Sequence, residues 1–134
     1  VGPRSFIPIS GVSKKQTSVS KSTPEAEIVA IDHGLSREGL PALDLLDVIL
    51  DRGVKIHLLE DNTAACRVCL TGKNSSMRHM TRTQRISIAW INERLLSGDF
   101  SCIDGPTHYQ AADIFTKAMT DLKVWRRNLM LIGH

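Results

Sequence analysis

Aromatic residues, cysteines and long hydrophobic runs are all scarce in this sequence, and each shortage excludes a class of protein. Six of the 134 residues are Phe, Trp or Tyr, so a buried core must be built mainly from aliphatic side chains. Three cysteines are too few for a disulfide framework and indicate a reducing compartment. No apolar run approaches the length of a membrane span, and no basic-then-apolar leader opens the chain. We therefore expect one intracellular domain, residues 1–134, with no membrane partner.

Acidic residues are missing from two stretches of the chain. None precedes Glu25, and none occurs between Thr63 and Asn92. The second stretch nevertheless contains five basic residues, which are Arg67, Lys73, Arg78, Arg82 and Arg85. Because the whole chain has a net charge of only +3, the remainder is slightly acidic. A basic zone on such a domain favours a polyanionic partner, and the alternative is an ordinary solvated loop and helix face.

The periodicity of apolar residues predicts helices and strands that alternate along the chain. The predicted helices cover residues 23–35, 41–50, 62–70, 81–96 and 107–131, and the predicted strands cover 54–59 and 100–103. Thr23 and Asn62 are expected to cap the first and third helices, and Gly39 to mark the boundary between the first two. Helical spacing also predicts a buried stripe of Ile28, Ile31 and Leu35. Two further β-like pieces, residues 5–9 and 17–22, could form the arms of a hairpin. This alternation is typical of an α/β domain in which helices pack against a sheet.

Three carboxylates stand in distinctive contexts. Glu27 lies in Ser-Thr-Pro-Glu-Ala-Glu on the first predicted helix, Asp61 follows the strand in Glu-Asp-Asn, and Asp113 lies in Ala-Asp-Ile-Phe-Thr-Lys. Glu25 is about 200° around the helix from Glu27, so we expect Glu25 to face water and Glu27 to face the core edge. Carboxylates that converge from separate elements suit a hard cation such as Mg²⁺. Taken singly, each could instead be an exposed, helix-entry or dipole-stabilising residue.

Cys66 and Cys69 form a C-x-x-C pair within a predicted helix. A structural zinc site needs four ligands, and no second such pair occurs in the sequence. We therefore interpret these cysteines as packed helix residues rather than as a zinc or redox site.

Five motifs in a fixed order resemble a known family. They are Ser13-Lys14-Lys15-Gln16, Ser-Thr-Pro-Glu-Ala-Glu, Glu-Asp-Asn, Arg78-His79-x-Thr-Arg and Ala-Asp-Ile-Phe-Thr-Lys. Over about residues 6–120, this order is similar to the ribonuclease H domain of copia-type retrotransposon polyproteins. The resemblance implies a ribonuclease H-like fold, with a mixed β-sheet and flanking helices. It also implies an endonuclease that hydrolyses the RNA strand of RNA–DNA hybrids.

The resemblance further implies a catalytic site with two Mg²⁺ ions. Such enzymes hold the ions with four carboxylates, activate a water molecule and stabilise the leaving oxygen. By position, Glu27, Asp61 and Asp113 correspond to three of these ligands. Because phosphate contacts need positive charge at a surface, the candidates for nucleic-acid binding are Lys73, Arg78, His79, Arg82 and Arg85, through phosphates rather than base edges.

The sequence also departs from the family pattern. The family's first, central strand carries an Asp-Ala-Asp-Trp-like motif, whereas this chain starts at Val1 without one. Gln84-Arg85-Ile86-Ser87 replaces Lys-His-Ile-Asp, and Pro24 replaces the usual Thr. We therefore expect a piece of a longer polyprotein, with reverse transcriptase upstream, whose activity is impaired in this chain. The expected location is cytoplasmic, in a virus-like particle, or nuclear.

Two other functions remain open at this stage. The chain could be a non-catalytic, nucleic-acid-binding relic of such a domain, using only its basic stretch. Alternatively, a helix over residues 81–96 could read duplex DNA, although its many apolar residues suit burial better. His108, in the loop before Asp113, is expected to be an ordinary polar loop residue.

Overall fold

Ser22 is the N-cap of the first helical stretch, one residue before the predicted cap, Thr23. Its hydroxyl oxygen accepts the backbone N–H of Glu25, which satisfies one of the free donors at the helix start. Helix α1 (Thr23–His33) continues through a π-helical turn (Gly34–Gly39) into helix α2 (Leu40–Leu50). The two predicted helices are therefore one continuous helical stretch.

Gly39 does not separate two helices, contrary to the prediction, but lies inside this stretch and against Phe100. A β-carbon at Gly39 would lie 2.9 Å from Cε1 of Phe100, which is closer than such atoms approach. Because the Phe100 ring is buried, it could not easily move aside. Glycine is therefore needed here for close packing.

The structure, a computed structural model, describes residues 7–106 and 110–133. After α2 the elements are β1 (Ile56–Glu60), α3 (Thr63–Thr71), a 3-10 turn (Ser75–Met77), α4 (Met80–Thr83), α5 (Ile88–Leu96), β2 (Phe100–Asp104), a second 3-10 turn (Ala111–Phe115) and α6 (Leu122–Leu131). This is a mixed α/β architecture that is mainly helical, so the predicted α/β class is confirmed. None of the helices in the described ranges is long and apolar enough to cross a membrane.

The sheet consists of two parallel strands, β1 and β2. Ile56 pairs with Phe100, Leu58 with Cys102, and Glu60 with Asp104. Since side chains alternate between the two faces of a strand, these six share one face. On the other face His57 and Ser101 are joined by a 2.6 Å contact between Nδ1 and Oγ.

The hydrophobic core lies among α1, α3, α5 and this sheet, and it is mainly aliphatic as predicted. The expected stripe of Ile28, Ile31 and Leu35 on the first helical stretch is buried. Further buried core residues come from later elements and include Leu43, Ala65, Val68, Met77, Met80, Ile86, Ile88, Ile91 and Phe100.

The predicted helix over residues 81–96 is wrong as a single element. Arg85 adopts a left-handed conformation with φ 59°, which ends α4 and separates it from α5. Ser87 then caps α5, because its hydroxyl oxygen accepts the backbone N–H of Trp90 at 3.2 Å. The basic segment, which we define as residues 73–85 with Lys73, Arg78, Arg82 and Arg85, therefore contains the short helix α4 and the turn before α5. This arrangement disfavours a DNA-reading helix over residues 81–96.

The predicted elements at the two ends of the chain differ from those observed. Residues 17–22 form no strand, and part of the first hairpin arm lies outside the described residues. The predicted final helix is divided into the second 3-10 turn and α6, and none of the 3-10 turn is buried. Residues 107–109, including His108, lie outside the described part of the chain.

The chain separates into two compact units. One comprises Gln16–Asp104 and contains α1 to α5, both strands and the hydrophobic core. The other comprises Val1–Lys15 with Gly105–His134 and contains α6. The prediction of a single domain over residues 1–134 stays a prediction.

Candidate functional site

Three consecutive polar residues stand at the carboxyl end of β1. Glu60 is the last strand residue, and its Oε1 accepts the backbone N–H of Asn62 at 2.9 Å. Asn62 caps α3, as predicted, because its Oδ1 accepts the backbone N–H groups of Ala64 and Ala65 at 3.1 Å each. Half-buried Asp61 is thus held between the strand end and the helix start.

Glu60 is a buried carboxyl whose pKa depends on the charged groups around it. Burial raises its pKa, and the negative charges of Glu27 and Asp61 raise it further, while the hydrogen bond from Asn62 lowers it. Glu27 on α1 and Asp61 after β1 therefore both lie within electrostatic reach of this one group. The register also places Asp104 of β2 beside Glu60. Acidic side chains consequently gather at this end of the sheet.

Asp113, the third predicted ligand, lies in the second 3-10 turn rather than in an α-helix. It is half-buried, and its Oδ1 lies 2.8 Å from Nζ of Lys117, four residues later in the same motif. Asp113 belongs to the other compact unit, the one that includes Gly105–His134. Its convergence with Glu27 and Asp61 stays a prediction.

The residue types at this site suit a metal ion, but the number of described side chains that converge there does not. Carboxylate oxygens are the ligands that Mg²⁺ prefers, so the residue types fit. Within residues 7–106 and 110–133, however, no three side chains of His, Cys, Asp or Glu are arranged so that they could hold an ion. The described ligand set is therefore incomplete.

Glu25 is buried with its side chain 2% exposed, which corrects the prediction that it faces water. Its Oε2 accepts the backbone N–H of Lys21 at 3.2 Å, and its Oε1 accepts Nε2 of Gln84 at 2.6 Å. Nε2 of His79 lies 3.2 Å from the same Oε1. Burial raises the pKa of Glu25, but these hydrogen bonds and the His79 charge outweigh it, and the pKa falls below its ordinary value. We call this group, Glu25 with His79 and Gln84, the α1 anchor.

The basic residues flank His79 and Gln84, two members of the α1 anchor, along the sequence. Lys73, Arg78, Arg82 and Arg85 are exposed, and none forms an ion pair with another residue of the described ranges. Nε2 of His79 lies 3.2 Å from Oε1 of Glu25, with the His79 side chain 26% exposed, and the predicted contact of His79 with nucleic acid stays a prediction. The anchor thus ties the basic segment to α1, the helix that carries Glu27.

Glu25 and Glu60 are buried carboxyls of the site that were not predicted from the sequence. Glu25 stands three residues before Ile28 and so continues the buried stripe of α1, a signal that was visible in the spacing. Glu60 ends the alternating strand on the same face as Ile56 and Leu58. Both were overlooked because an unpaired buried carboxylate is costly, and their partners were not apparent.

Comparisons with known proteins found no match for this chain. The sequence matches no protein-family model, and neither a curated protein nor a solved structure matches the chain. The fold and the site define a mixed α/β protein with an acidic strand end and an exposed basic segment.

Proposed function

We propose that this chain is a ribonuclease H-type domain of a retrotransposon polyprotein, which acts on RNA–DNA hybrids with Mg²⁺. The observation that carries the proposal is that Glu27 of α1 and Asp61 after β1, from separate elements, lie within electrostatic reach of the buried Glu60 at the carboxyl end of β1, beside Asp104 of β2. Their order and contexts are those of the family's catalytic carboxylates. Asp113 is proposed as the third ligand on its sequence motif alone.

The open edge of β1 supports the same proposal. β1 pairs with β2 on one side, and no other strand in the described ranges joins this sheet. A parallel sheet normally has more strands and is covered on both faces. The family's central strand, with its aspartate, would occupy the free edge of β1 and bring the fourth carboxylate beside Asp61.

Each group of residues has a distinct role in this proposal. When bound, Mg²⁺ supplies an activated water and stabilises the leaving oxygen. Glu27 and Asp61 supply negatively charged oxygen ligands, and the hydrogen bonds around Asn62 hold the chain on either side of Asp61 in place. The exposed Lys73, Arg78, Arg82 and Arg85 bind phosphates of the hybrid. The α1 anchor keeps that basic segment on the helix that carries Glu27.

A second candidate function is a non-catalytic binder of nucleic acid. The incomplete ligand set in the described ranges favours it. The basic segment needs no metal ion to bind phosphates, so it would work without the carboxylates. The two functions share a partner and differ only in chemistry.

A cleavage assay separates them. We would incubate the chain with an end-labelled RNA–DNA hybrid in the presence and absence of Mg²⁺, and measure hybrid binding by fluorescence anisotropy in parallel. A matched protein extended before Val1 by an aspartate-bearing strand tests whether the free edge of β1 limits activity. The proposal expects Mg²⁺-dependent cleavage of the RNA strand, stronger in the extended protein and lost in Asp61→Asn. Binding without cleavage in both proteins would support the binder instead.

A further inference from the structure

Two of the three cysteines meet although they are far apart in sequence. Sγ of Cys66 on α3 lies 2.6 Å from Sγ of Cys102 on β2, and the structure records all three cysteines as free thiols. The contact joins two elements that pack against one another in the core, and the pairing of Cys102 with Leu58 fixes its position in the sheet. The two sulfurs are therefore held together by the fold and not by a flexible loop.

The third cysteine has a different position. Cys69 is fully buried on α3, one turn after Cys66, whereas Cys102 is half-buried and so partly accessible. A reagent from solution therefore reaches Cys102 most easily, and Cys66 is the thiol in contact with it. Burial raises the pKa of Cys66, and burial together with the adjacent thiol raises the pKa of Cys102. Few thiolates exist at neutral pH, so oxidation by mild reagents is slow.

We propose that Cys66 and Cys102 form a dithiol site that hydrogen peroxide converts slowly into a disulfide between α3 and β2. The sulfur of Cys102 attacks one peroxide oxygen, the O–O bond breaks, and Cys102 sulfenic acid and one water molecule form. The sulfur of Cys66 then attacks the sulfenic sulfur, the S–S bond forms, the S–O bond breaks, and a second water molecule leaves. The two thiols lose two electrons and two protons, and the peroxide is reduced to water.

The cross-link has a structural consequence that is independent of the proposed nuclease. α3 starts immediately after Asp61 and Asn62, so a bond from Cys66 to Cys102 ties this helix start to the neighbouring strand. A disulfide that closes a long loop also restricts the unfolded chain. We expect the oxidised protein to unfold at a higher urea concentration than the reduced protein.

The test is a peptide map of the folded chain after treatment with hydrogen peroxide. Free thiols are blocked with N-ethylmaleimide, and the protein is digested with trypsin, which cleaves after Arg67 and so separates Cys66 from Cys69. We expect a disulfide-linked pair of peptides that contain Cys66 and Cys102, with Cys69 blocked by maleimide. The urea midpoint should rise and return to its original value after reduction with dithiothreitol.

Matched variants and an unfolded sample complete the test. Cys69→Ser should keep the linked peptides, and Cys66→Ser and Cys102→Ser should lose them. The same chain oxidised in urea should give a mixture of pairings that involve all three cysteines, which shows that the native pairing is selected by the fold. The proposal is overturned if the folded chain links Cys69 instead, forms only intermolecular disulfides, or keeps three free thiols under conditions that oxidise the urea-unfolded chain.

Discussion

Glu25 and Gln84 are joined by a 2.6 Å hydrogen bond between Oε1 and Nε2, although 59 residues separate them in sequence. Together with the contact from His79, this bond attaches the basic segment to α1. Glu27, two residues further along the same helix, is one of the proposed metal ligands. The bond therefore couples the part of the protein proposed to bind nucleic acid to the part proposed to cleave it.

Removal of the Glu25 carboxylate should destabilise the unit that contains α1 and the sheet. Glu25→Ala leaves the half-buried amide of Gln84 without its partner and creates a cavity, which we expect to cost about 2–4 kcal/mol. Exposed Glu93→Ala is the control and should change the free energy of unfolding by less than about 0.5 kcal/mol. Urea unfolding followed by circular dichroism measures both, and equal effects would show that the α1 anchor is unimportant.

Glu25 should also make the stability of the protein depend on pH in the acid range. The pKa of Glu25 in the folded protein is lower than its ordinary value of 4.5, so the folded state favours the charged form. This contribution is complete above about pH 4.5 and is lost as the pH falls through the lower folded pKa. Glu25→Gln should therefore flatten the acid side of the stability profile. An unchanged acid limb would contradict the assignment.

The contribution of Glu60 to stability should depend on pH in the opposite direction to that of Glu25. Burial and the charges of Glu27 and Asp61 raise its pKa above 4.5, so the folded state favours the neutral carboxyl. Its contribution is complete below about pH 4.5 and is lost as the pH rises through the folded pKa.

Glu60→Gln removes this charge and can keep the acceptor for Asn62, so it tests the Glu60 assignment directly. We expect a higher urea midpoint than wild type at pH 7, with the difference shrinking as the pH is lowered toward pH 4. A lower midpoint at pH 7 would mean that the Glu60 charge is stabilising and that its acidic neighbours lie elsewhere.

Arg82 should contribute to hybrid binding through its charge alone. It is exposed and forms no ion pair within the described ranges, so Arg82→Ala should leave stability nearly unchanged. Loss of one phosphate contact should reduce the salt dependence of log K by about 0.9. Exposed Arg52→Ala, outside the basic segment, is the control. Equal effects of the two substitutions on the salt dependence would argue against a defined binding surface.

Two substitutions at Arg85 distinguish the effect of its charge on hybrid binding from the effect of its backbone conformation on stability. Its left-handed backbone strains any residue with a β-carbon, so Arg85→Gly should raise stability by about 1 kcal/mol, whereas Arg85→Ala should not. Both substitutions remove the same charge and should weaken hybrid binding equally. Thermal unfolding and anisotropy measurements on the pair check this, and different affinities would show that backbone conformation contributes to binding.

Local signals predicted some of these features correctly. Asn62 was identified as the cap of α3 because the hydrogen bonds of a cap run to residues two and three positions later. The buried stripe of Ile28, Ile31 and Leu35 followed from helical spacing in the same way. Strand β1 was found one to two residues from its observed bounds, because its alternation is strong.

Features that depend on distant partners could not be predicted in this way. The spacing of Glu25 from Ile28 indicates a buried position, but its partners His79 and Gln84 come from another part of the chain, which local spacing does not show. Arg85 is a good helix former, yet it breaks the predicted helix where the adjacent Gln84 bonds to Glu25 and Ile86 is buried in the core. The meeting of Cys66 with Cys102 likewise depends on how α3 packs on β2.

The central claim is that Glu27 and Asp61 bind one divalent ion together. A titration of the ¹⁵N-labelled chain with Mn²⁺, a paramagnetic substitute for Mg²⁺, tests it most directly through the backbone amide signals. The account predicts that the signals of Glu27 and Asp61 broaden together at low Mn²⁺ concentration and that Asp61→Asn abolishes the broadening at Glu27. Broadening at only one of the two, or at neither, would contradict it.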